Sequence, residues 1–517
     1  MNIKNFSSFK TFTGVLASLL MNVMLSSSVM ADSTQSPKRE FRGAWLHVIG
    51  QSQWMKKTPQ QQKEYIIDQL DKLEADGCNA VIFQIRPHAD ALYKSDIEPW
   101  SSWLTGKRGK APSEDWDPLE FIVNAAHERG MELHAWMNPY RVTSSPETLP
   151  ADHISNKYPD RFVKFGGKTF FDPAYRENQE YIANIVKDVI TRYDVDAIHF
   201  DDYFYPYPTE GAKFNADGKS YAKFGNGMDK GDWRRKNVDN LIELVSTTIK
   251  ETKPWVRFGI SPFGIWRNKK SDPRGSDTNG LQNYDDLYAD VILWAEKGWI
   301  DYLAPQLYWS LDHKVASTRK LAQWWNDHTP ENCDLYIGYD VRQTMSTPAG
   351  GKQNELSQKV DLSRSLPNVD GNIWWHGYWV TENFKGAGDE LRNNLQKYLA
   401  LAPAYGDKNK RPAEVKNIKV SEKDGKSLIT WDLPADFGGY NSKPKDLKNQ
   451  KDTDPVKFVV YEFLPDEEID LNDASGIITV TPKNEVLFST PEPGTTILIT
   501  SVDRMNRESK PVKYVIK

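Results

Sequence analysis

The sequence is poor in cysteine and contains none of the short motifs that mark several common enzyme classes. Cys78 and Cys333 are the only cysteines among 517 residues, and they are far apart in the chain. This excludes a disulfide-rich scaffold and a Cys-x-x-Cys redox pair, and we predict no disulfide between them. A glycine-rich phosphate loop and a serine nucleophile elbow are also absent. Nucleotide binding and serine hydrolase chemistry are therefore not indicated.

The charges are close to balance, and long apolar runs are missing. The chain has 66 basic and 71 acidic residues, which gives a formal net charge of −5. Nucleic-acid binding needs a strongly basic field, so we predict no nucleic-acid partner. The main apolar run is Val15–Leu25, which is shorter than the roughly 20 residues needed to span a membrane.

The residues on either side of that apolar run are typical of an export signal. Lys4 and Lys10 precede it, and a site of small residues follows at Ala31. We predict a cleaved signal peptide over residues 1–31 and export to the periplasm or the medium. Because no cysteine lies near the cleavage site, we do not expect a lipoprotein.

Residues 41–400 alternate short apolar runs with longer amphipathic segments. In the segment after Gln60, for example, Tyr65, Ile66, Leu70 and Leu73 fall on one helical stripe. Eight runs are typical of strands, and they begin at Phe41, Asn79, Met131, Asp196, Val256, Ile300, Cys333 and Asn372. Eight such repeats predict an α/β protein with a (β/α)8 TIM barrel. A doubly wound open sheet is the alternative, but it usually carries a glycine-rich loop after a strand.

The pattern changes after residue 400. Residues 401–413 are polar and contain proline, which predicts a linker. Short alternating strands then fill residues 414–517 and predict a small C-terminal β-sandwich. The spacing of Val415, Trp431 and Tyr461 resembles that of a fibronectin type III module. We assign this module no chemistry and expect it to dock envelope or division proteins.

Two adjacent carboxylates end the fourth predicted strand. Catalytic groups of TIM barrels lie at the carboxyl ends of strands, and Asp201 and Asp202 occupy that place, followed by Tyr203. Alternation along the strand points Asp201 into the barrel and leaves Asp202 at the rim. Two neighbouring carboxyls beside aromatic rings raise the pKa of one of them. Such a group can protonate a glycosidic oxygen while its ionised neighbour stabilises positive charge. A capping or ion-pairing role for the two acids is the alternative.

Other strand ends add polar and aromatic side chains typical of a sugar-binding cleft. We predict substrate contacts from Arg86, His88, Asn138, Tyr140, Arg141, Tyr203, Trp266, Gln306, Tyr308, Trp309 and Trp375, and we add Glu98 as a further candidate catalytic acid. A metal hydrolase on this fold would carry a His-x-His pair on the first strand, which offers only His47. We therefore predict no metal and no cofactor.

Several longer stretches resemble one known family. FRGAWL from Phe41, NAVIFQIRPHADALY from Asn79, HFDDYFYP from His199 and LAPQLYW from Leu303 are similar to the bacterial glycosyl-hydrolase-like family ten. The resemblance implies an envelope glycosidase, and one branch of the family acts on peptidoglycan strands freed of their stem peptides. It also implies that Asp201 and Asp202 are the catalytic acids. Members are commonly lipid-anchored, and this chain lacks the cysteine needed for that.

Three mechanisms or roles remain open at this point. In the first, the 2-acetamido group of the substrate attacks the anomeric carbon, with Asp202 as general acid and Asp201 orienting the acetamide. In the second, Asp201 acts as nucleophile or base with Glu98 or another loop acid as its partner. In the third, the chain binds glycan without cleaving it.

Overall fold

The eight predicted strands close into a parallel barrel. A computed structural model describes residues 36–209, 211–440 and 450–517, so the predicted signal peptide lies outside the described residues. The barrel strands are β1 (Phe41–Leu46), β2 (Ala80–Arg86), β3 (Glu132–Met137), β6 (Ala197–Phe200), β7 (Arg257–Ile260), β8 (Tyr302–Leu303), β9 (Asp334–Asp340) and β10 (Gly371–Trp375). They follow the order β1-β10-β9-β8-β7-β6-β3-β2 around the closed barrel. The TIM-barrel prediction is confirmed. A hairpin of β4 (Phe162–Phe165) and β5 (Lys168–Phe171), absent from the prediction, follows β3.

Helices connect the strands and cover the barrel. Helix Pro59–Ala75 begins with a capping box between Thr58 and Gln61, and it buries Ile66, Leu70 and Leu73. The other α-helices are Ser52–Met55, Ser102–Thr105, Pro118–Glu128, Ile154–Lys157, Arg176–Arg192, Gly218–Phe224, Lys230–Thr252, Asn283–Asp286, Val291–Glu296, Thr318–His328, Val341–Ser346, Leu356–Ser365, Gly377–Thr381 and Ala387–Glu390. Within the described ranges, none of these helices is long and apolar enough to cross a membrane.

Large aromatic side chains fill the barrel interior. Phe41 stacks on Tyr336 with ring centroids 4.0 Å apart, and Trp45 and Trp136 lie above them. Gly259 on β7 is required by this packing, because a Cβ at that position would lie 1.9 Å from the ring of Tyr302. Only glycine therefore fits beside that ring.

A chain of hydrogen bonds runs down the barrel axis. The Trp45 indole N–H donates to His199 Nε2 (3.2 Å), so the proton of the neutral His199 ring lies on Nδ1 and points at the Tyr302 hydroxyl (2.9 Å). That hydroxyl in turn donates to His134 Nδ1 (2.8 Å), and His134 Nε2 donates to Glu132 (2.9 Å). Burial raises the pKa of Glu132, but the hydrogen bond from His134 and the positive charges nearby, among them Lys457 and Arg257, together outweigh burial and lower that pKa. We call this series from Trp45 to Glu132 the axial chain.

The C-terminal residues form two antiparallel sheets. One contains β11 (Lys416–Lys423), β12 (Lys426–Asp432) and β15 (Glu485–Phe488), and the other contains β13 (Pro455–Phe463), β14 (Ile477–Thr481), β16 (Thr496–Asp503) and β17 (Val512–Val515). Ile429, Trp431, Phe458 and Ile497 form a buried cluster shared by the two sheets. The predicted C-terminal β-structure is confirmed, and its likeness to fibronectin type III stays a prediction.

These sheets pack directly against the amino-terminal end of the barrel. Arg504 pairs with Asp194 through two contacts of 2.6 and 3.0 Å, and both side chains are buried. The Asn506 amide donates to Glu132, the last residue of the axial chain. Residues Pro37–Lys517 accordingly form one compact unit. Leu401 and Ala402, which we assigned to a linker, are buried in this region.

Candidate functional site

A cavity of about 500 Å³ opens at the carboxyl ends of the barrel strands. Its walls are mainly aromatic, with two carboxylates, one guanidinium and two imidazoles among them. The lining residues are Trp45, His47, Ile49, Gln84, Trp136, Arg141, Asp201, Asp202, Tyr203, Tyr207, Ser261, Phe263, Gln306, Tyr308, Trp375 and His376. A concave site with aromatic walls and few convergent polar groups is typical of a small-molecule or sugar site.

Asp201 is held in the cavity by donors from the neighbouring strand. The Trp136 indole donates to its carboxylate at 3.0 Å, and the Asn138 amide donates at 2.9 Å. The backbone N–H of Tyr203 adds a third contact at 3.3 Å. Burial raises the pKa of Asp201, whereas the positive charge of Arg141 and these donors act in the opposite direction. Donors of this kind stabilise the ionised carboxylate.

Asp202 lines the same cavity but has a different environment. Burial, followed by the negative charge of Asp201, raises its pKa to about 7. The Tyr207 hydroxyl donates to Asp202 Oδ2, and Gln306 also contacts the carboxyl group. A carboxyl with a pKa near neutrality is protonated in a large fraction of molecules at pH 7. It can therefore donate a proton.

The two adjacent acids thus differ in their readiness to ionise. Asp201 has donors for its charged form from Trp136, Asn138 and the backbone. Asp202 is opposed by burial and by its neighbour's charge. Two titratable groups with pKa values driven apart are the arrangement needed for one acid and one charge-stabilising or nucleophilic group. The geometry can therefore support acid-assisted cleavage of a glycosidic bond.

Half of the residues that we predicted for the site line this cavity. They are Arg141, Asp201, Asp202, Tyr203, Gln306, Tyr308 and Trp375. Tyr308 and Trp375 have parallel rings with centroids 6.3 Å apart. The rim residue Tyr203 is 39% exposed, which leaves part of its ring accessible to a ligand.

Glu98 and Arg86 do not line the cavity. Their side chains form a buried ion pair with contacts of 2.6 and 2.7 Å, and neither side chain is more than 1% exposed. We expected Glu98 to be able to reach the site as an acid, but its two carboxylate oxygens are both bonded to Arg86. Arg86 also donates to the carbonyl of Asn138, so the pair supports the loop that carries Asn138.

The remaining predicted contacts are also placed behind the cavity wall. His88 is 3% exposed and accepts a hydrogen bond from Trp103. Asn138 lies behind Asp201 and bonds to it, and Tyr140 is fully buried in the core. The two tryptophans pack on aromatic neighbours: Trp266 stacks on Trp324, and Trp309 contacts Phe263 edge-on.

Sequence reasoning missed about half of the cavity wall. The largest omissions are Trp45, Trp136, Tyr207 and His376. Trp45 and Trp136 point inward from strands β1 and β3, and the strand alternation that places Asp201 would have found them. Tyr207 lies in a loop, and its contact with Asp202 follows from the loop conformation. No sequence signal identified that contact.

The described part of the chain contains no cluster of side chains suited to hold a metal. Within residues 36–209, 211–440 and 450–517, no group of three or more His, Cys, Asp or Glu side chains could hold an ion. The cavity imidazoles His47 and His376 contact each other at 3.2 Å. Burial lowers their pKa values to about 3 and about 4, so both are neutral near pH 7.

Comparison with known proteins places the barrel among glycosyl hydrolases. Residues 40–354 match the family described as glycosyl hydrolase-like 10. The chain is 36% identical to the glycosyl hydrolase YngK of Bacillus subtilis (strain 168), over 98% of this chain and 99% of YngK. It is 39% identical to the glycosyl hydrolase DigH of Escherichia coli (strain K12), over 66% of this chain and 84% of DigH. Among solved structures, the PgaB (BpsB) glycoside hydrolase domain of Bordetella bronchiseptica matches 68% of this chain and 98% of that domain, with a TM-score of 0.41 and 13% identity.

Proposed function

The chain belongs to the glycosyl hydrolase-like 10 family and is a glycosidase, and from this premise we propose that it cleaves the glycan strands of bacterial peptidoglycan. The glycosidase prediction is confirmed, and the alternative of a protein that binds glycan without turnover is set aside. We propose peptide-free strands as the preferred substrate. The observation that carries the mechanism is the unequal carboxyl pair, Asp201 and Asp202, in an aromatic cavity.

The proposed reaction begins with protonated Asp202. Asp202 donates its proton to the glycosidic oxygen as the bond from that oxygen to the anomeric carbon breaks. The carbonyl oxygen of the substrate's 2-acetamido group forms a new bond to the same carbon, and ionised Asp201 stabilises the positive charge on the acetamide nitrogen. Ionised Asp202 then takes a proton from water as the water oxygen attacks the anomeric carbon, and the bond from that carbon to the acetamide oxygen breaks, which restores the acetamide. The product keeps the starting configuration.

The two-carboxylate alternative is weakened by the position of Glu98. Its carboxylate is paired with Arg86 outside the cavity, so it cannot serve as the second acid without breaking a buried ion pair. NMR of the first-formed product distinguishes the mechanisms. Retention supports participation of the acetamide, and inversion would rule it out.

The substrate is tested by digestion. Purified residues 32–517 are incubated with peptide-free peptidoglycan, peptide-bearing peptidoglycan and chitin oligomers, and mass spectrometry identifies the products. We expect fragments mainly from the peptide-free glycan, and none from an Asp202→Asn variant that still binds it. Equal digestion of the two peptidoglycans would contradict the proposed preference.

We also propose that the protein acts outside the cytoplasm. The basic, apolar and small-residue order of residues 1–31 supports export, with cleavage after Ala31. N-terminal sequencing of the protein recovered from the cell envelope or medium should begin at Asp32. An uncleaved chain in the cytoplasmic fraction would contradict this proposal.

A further inference from the structure

Arg141 is the only cationic side chain among the residues that line the cavity. The lining residues are all within the described part of the chain, and they include no lysine and no second arginine. The two imidazoles, His47 and His376, have pKa values of about 3 and about 4 and are neutral near pH 7. Arg141 therefore supplies the positive charge of the site.

Neighbouring arginines are paired with carboxylates, and Arg141 is not. Arg86 is bonded to Glu98, and Arg108 pairs with Glu147 at 2.9 Å. In the described ranges, no carboxylate lies within 4.0 Å of the Arg141 guanidinium. Asp201 interacts with its charge only beyond that distance. Removing a charge from water without a partner costs free energy, so a negatively charged ligand group would be favoured at this guanidinium.

Arg141 is also held in place. Its backbone N–H donates to the Asn138 side chain at 2.7 Å. Its guanidinium carbon lies 4.1 Å from the centroid of the Tyr203 ring. The guanidinium also shares one side-chain hydrogen bond with Tyr203, and the remaining N–H groups at its edge are available. That edge binds a carboxylate through two parallel hydrogen bonds.

We propose that Arg141 binds a carboxylate of the substrate, and that this is the free lactyl carboxylate of muramic acid in peptide-free glycan. The inference rests on the proposed function and gives it a physical basis. In peptide-bearing strands the same carboxyl is a neutral, bulkier amide that cannot pair with a guanidinium. Arg141 is thus the residue that selects strands freed of their peptides.

A competing role for Arg141 acts through Asp201. Its positive charge lowers the pKa of Asp201, so it helps to keep that carboxylate ionised. This effect is the same for every substrate. Carboxylate binding acts only on substrates that carry the carboxylate, and the two roles are therefore separable.

The test compares peptide-free glycan with the same glycan after its carboxylates are converted to methylamides. We expect the unmodified enzyme to cleave the acid form about tenfold to a hundredfold faster in kcat/KM, the range for a hydrogen-bonded charge pair. Arg141→Gln should lose this preference: its kcat/KM should fall further on the acid form than on the methylamide, because the loss of charge beside Asp201 affects both forms equally. Arg141→Lys keeps the positive charge and should retain part of the preference for the acid form. This variant shows that a loss of preference in Arg141→Gln does not come from a folding defect.

Arg161→Gln is a matched control. Arg161 stacks on Tyr158 at 4.2 Å, much as Arg141 stacks on Tyr203, but it does not line the cavity. We expect this variant to keep both rates. An equal loss on the acid and methylamide forms in Arg141→Gln would assign Arg141 to Asp201 and overturn the proposal.

Binding distinguishes failure of this inference from failure of the proposed function. If the unmodified enzyme cleaves neither glycan, calorimetry with Asp202→Asn and short peptide-free oligosaccharides still tests Arg141. If Asp202→Asn binds the acid form more tightly and Asp202→Asn/Arg141→Gln does not, the role of Arg141 is supported even though the proposed peptidoglycan reaction fails. Equal binding of both forms, or no binding of either, overturns it.

Discussion

Removing the Tyr207 hydroxyl should shift the pH dependence of cleavage upward. Tyr207 donates a hydrogen bond to Asp202, which favours the ionised form of that carboxyl. Asp202 acts as an acid only when protonated, so kcat/KM should fall as pH rises through its pKa of about 7. In Tyr207→Phe the ionised form loses its donor, and its pKa rises.

The size of the pKa shift follows from the free energy of the hydrogen bond between Tyr207 and Asp202. A hydrogen bond to a charged group contributes about 1.5–3 kcal/mol. Since one pH unit corresponds to about 1.4 kcal/mol, the alkaline limb should move up by about one to two pH units. The lower figure applies if the tyrosine also stabilises the protonated carboxyl.

The assay is kcat/KM for release of glycan fragments between pH 5 and about pH 10. Tyr203→Phe is the matched control, because Tyr203 lines the same cavity and its hydroxyl does not bond to Asp202. Its alkaline limb should stay where it is in the unmodified enzyme. A Tyr207→Phe limb that stays in place or moves to lower pH would refute Asp202 as the acid governed by this contact.

Three further predictions concern the stability of the folded protein. Burial and the charge of Asp201 raise the pKa of Asp202 from its ordinary value of 3.8 to about 7, so the folded state retains a proton that the unfolded chain releases. Stability therefore falls as pH rises between these two values. Asp202→Asn should raise the melting temperature at pH 8 more than at pH 4, and an equal gain would contradict this. Glu98→Gln should lower the free energy of unfolding, measured by urea titration, by about 3–5 kcal/mol because it leaves Arg86 buried and without a charged partner. The folded fraction of this variant should still cleave glycan. Abolished cleavage would restore Glu98 as a catalytic candidate. Arg504→Ala should cost a similar 3–5 kcal/mol by isolating Asp194, and Arg504→Met/Asp194→Leu should recover most of that loss in the same urea titration.

The barrel was predictable because its signals are local. Each strand is a short apolar run followed by an amphipathic helix, and the adjacent acids Asp201 and Asp202 stand where a strand ends. The first residue of each observed barrel strand lies within about two residues of its predicted start.

The rest of the site depends on contacts between distant segments. Glu98 and Trp266 follow strands that end at the cavity, but Glu98 turns to Arg86 and Trp266 turns outward onto Trp324. Proximity in sequence to a strand end does not fix the direction of a loop side chain. The Tyr207 contact with Asp202 likewise requires a particular loop path, which no spacing rule specifies.

The axial chain makes the C-terminal sheets part of the base of the catalytic barrel. Excising residues 414–517 would remove Asn506 from Glu132 and Arg504 from Asp194, leaving two carboxylates at the base without those partners. Glu132 is the final acceptor of the axial chain, which begins at Trp45 in the cavity wall. We therefore expect truncation to disturb the position of Trp45 in the cavity as well as the base of the barrel. A replacement for this appendage would therefore have to supply a hydrogen-bond donor for Glu132 and a cation for Asp194.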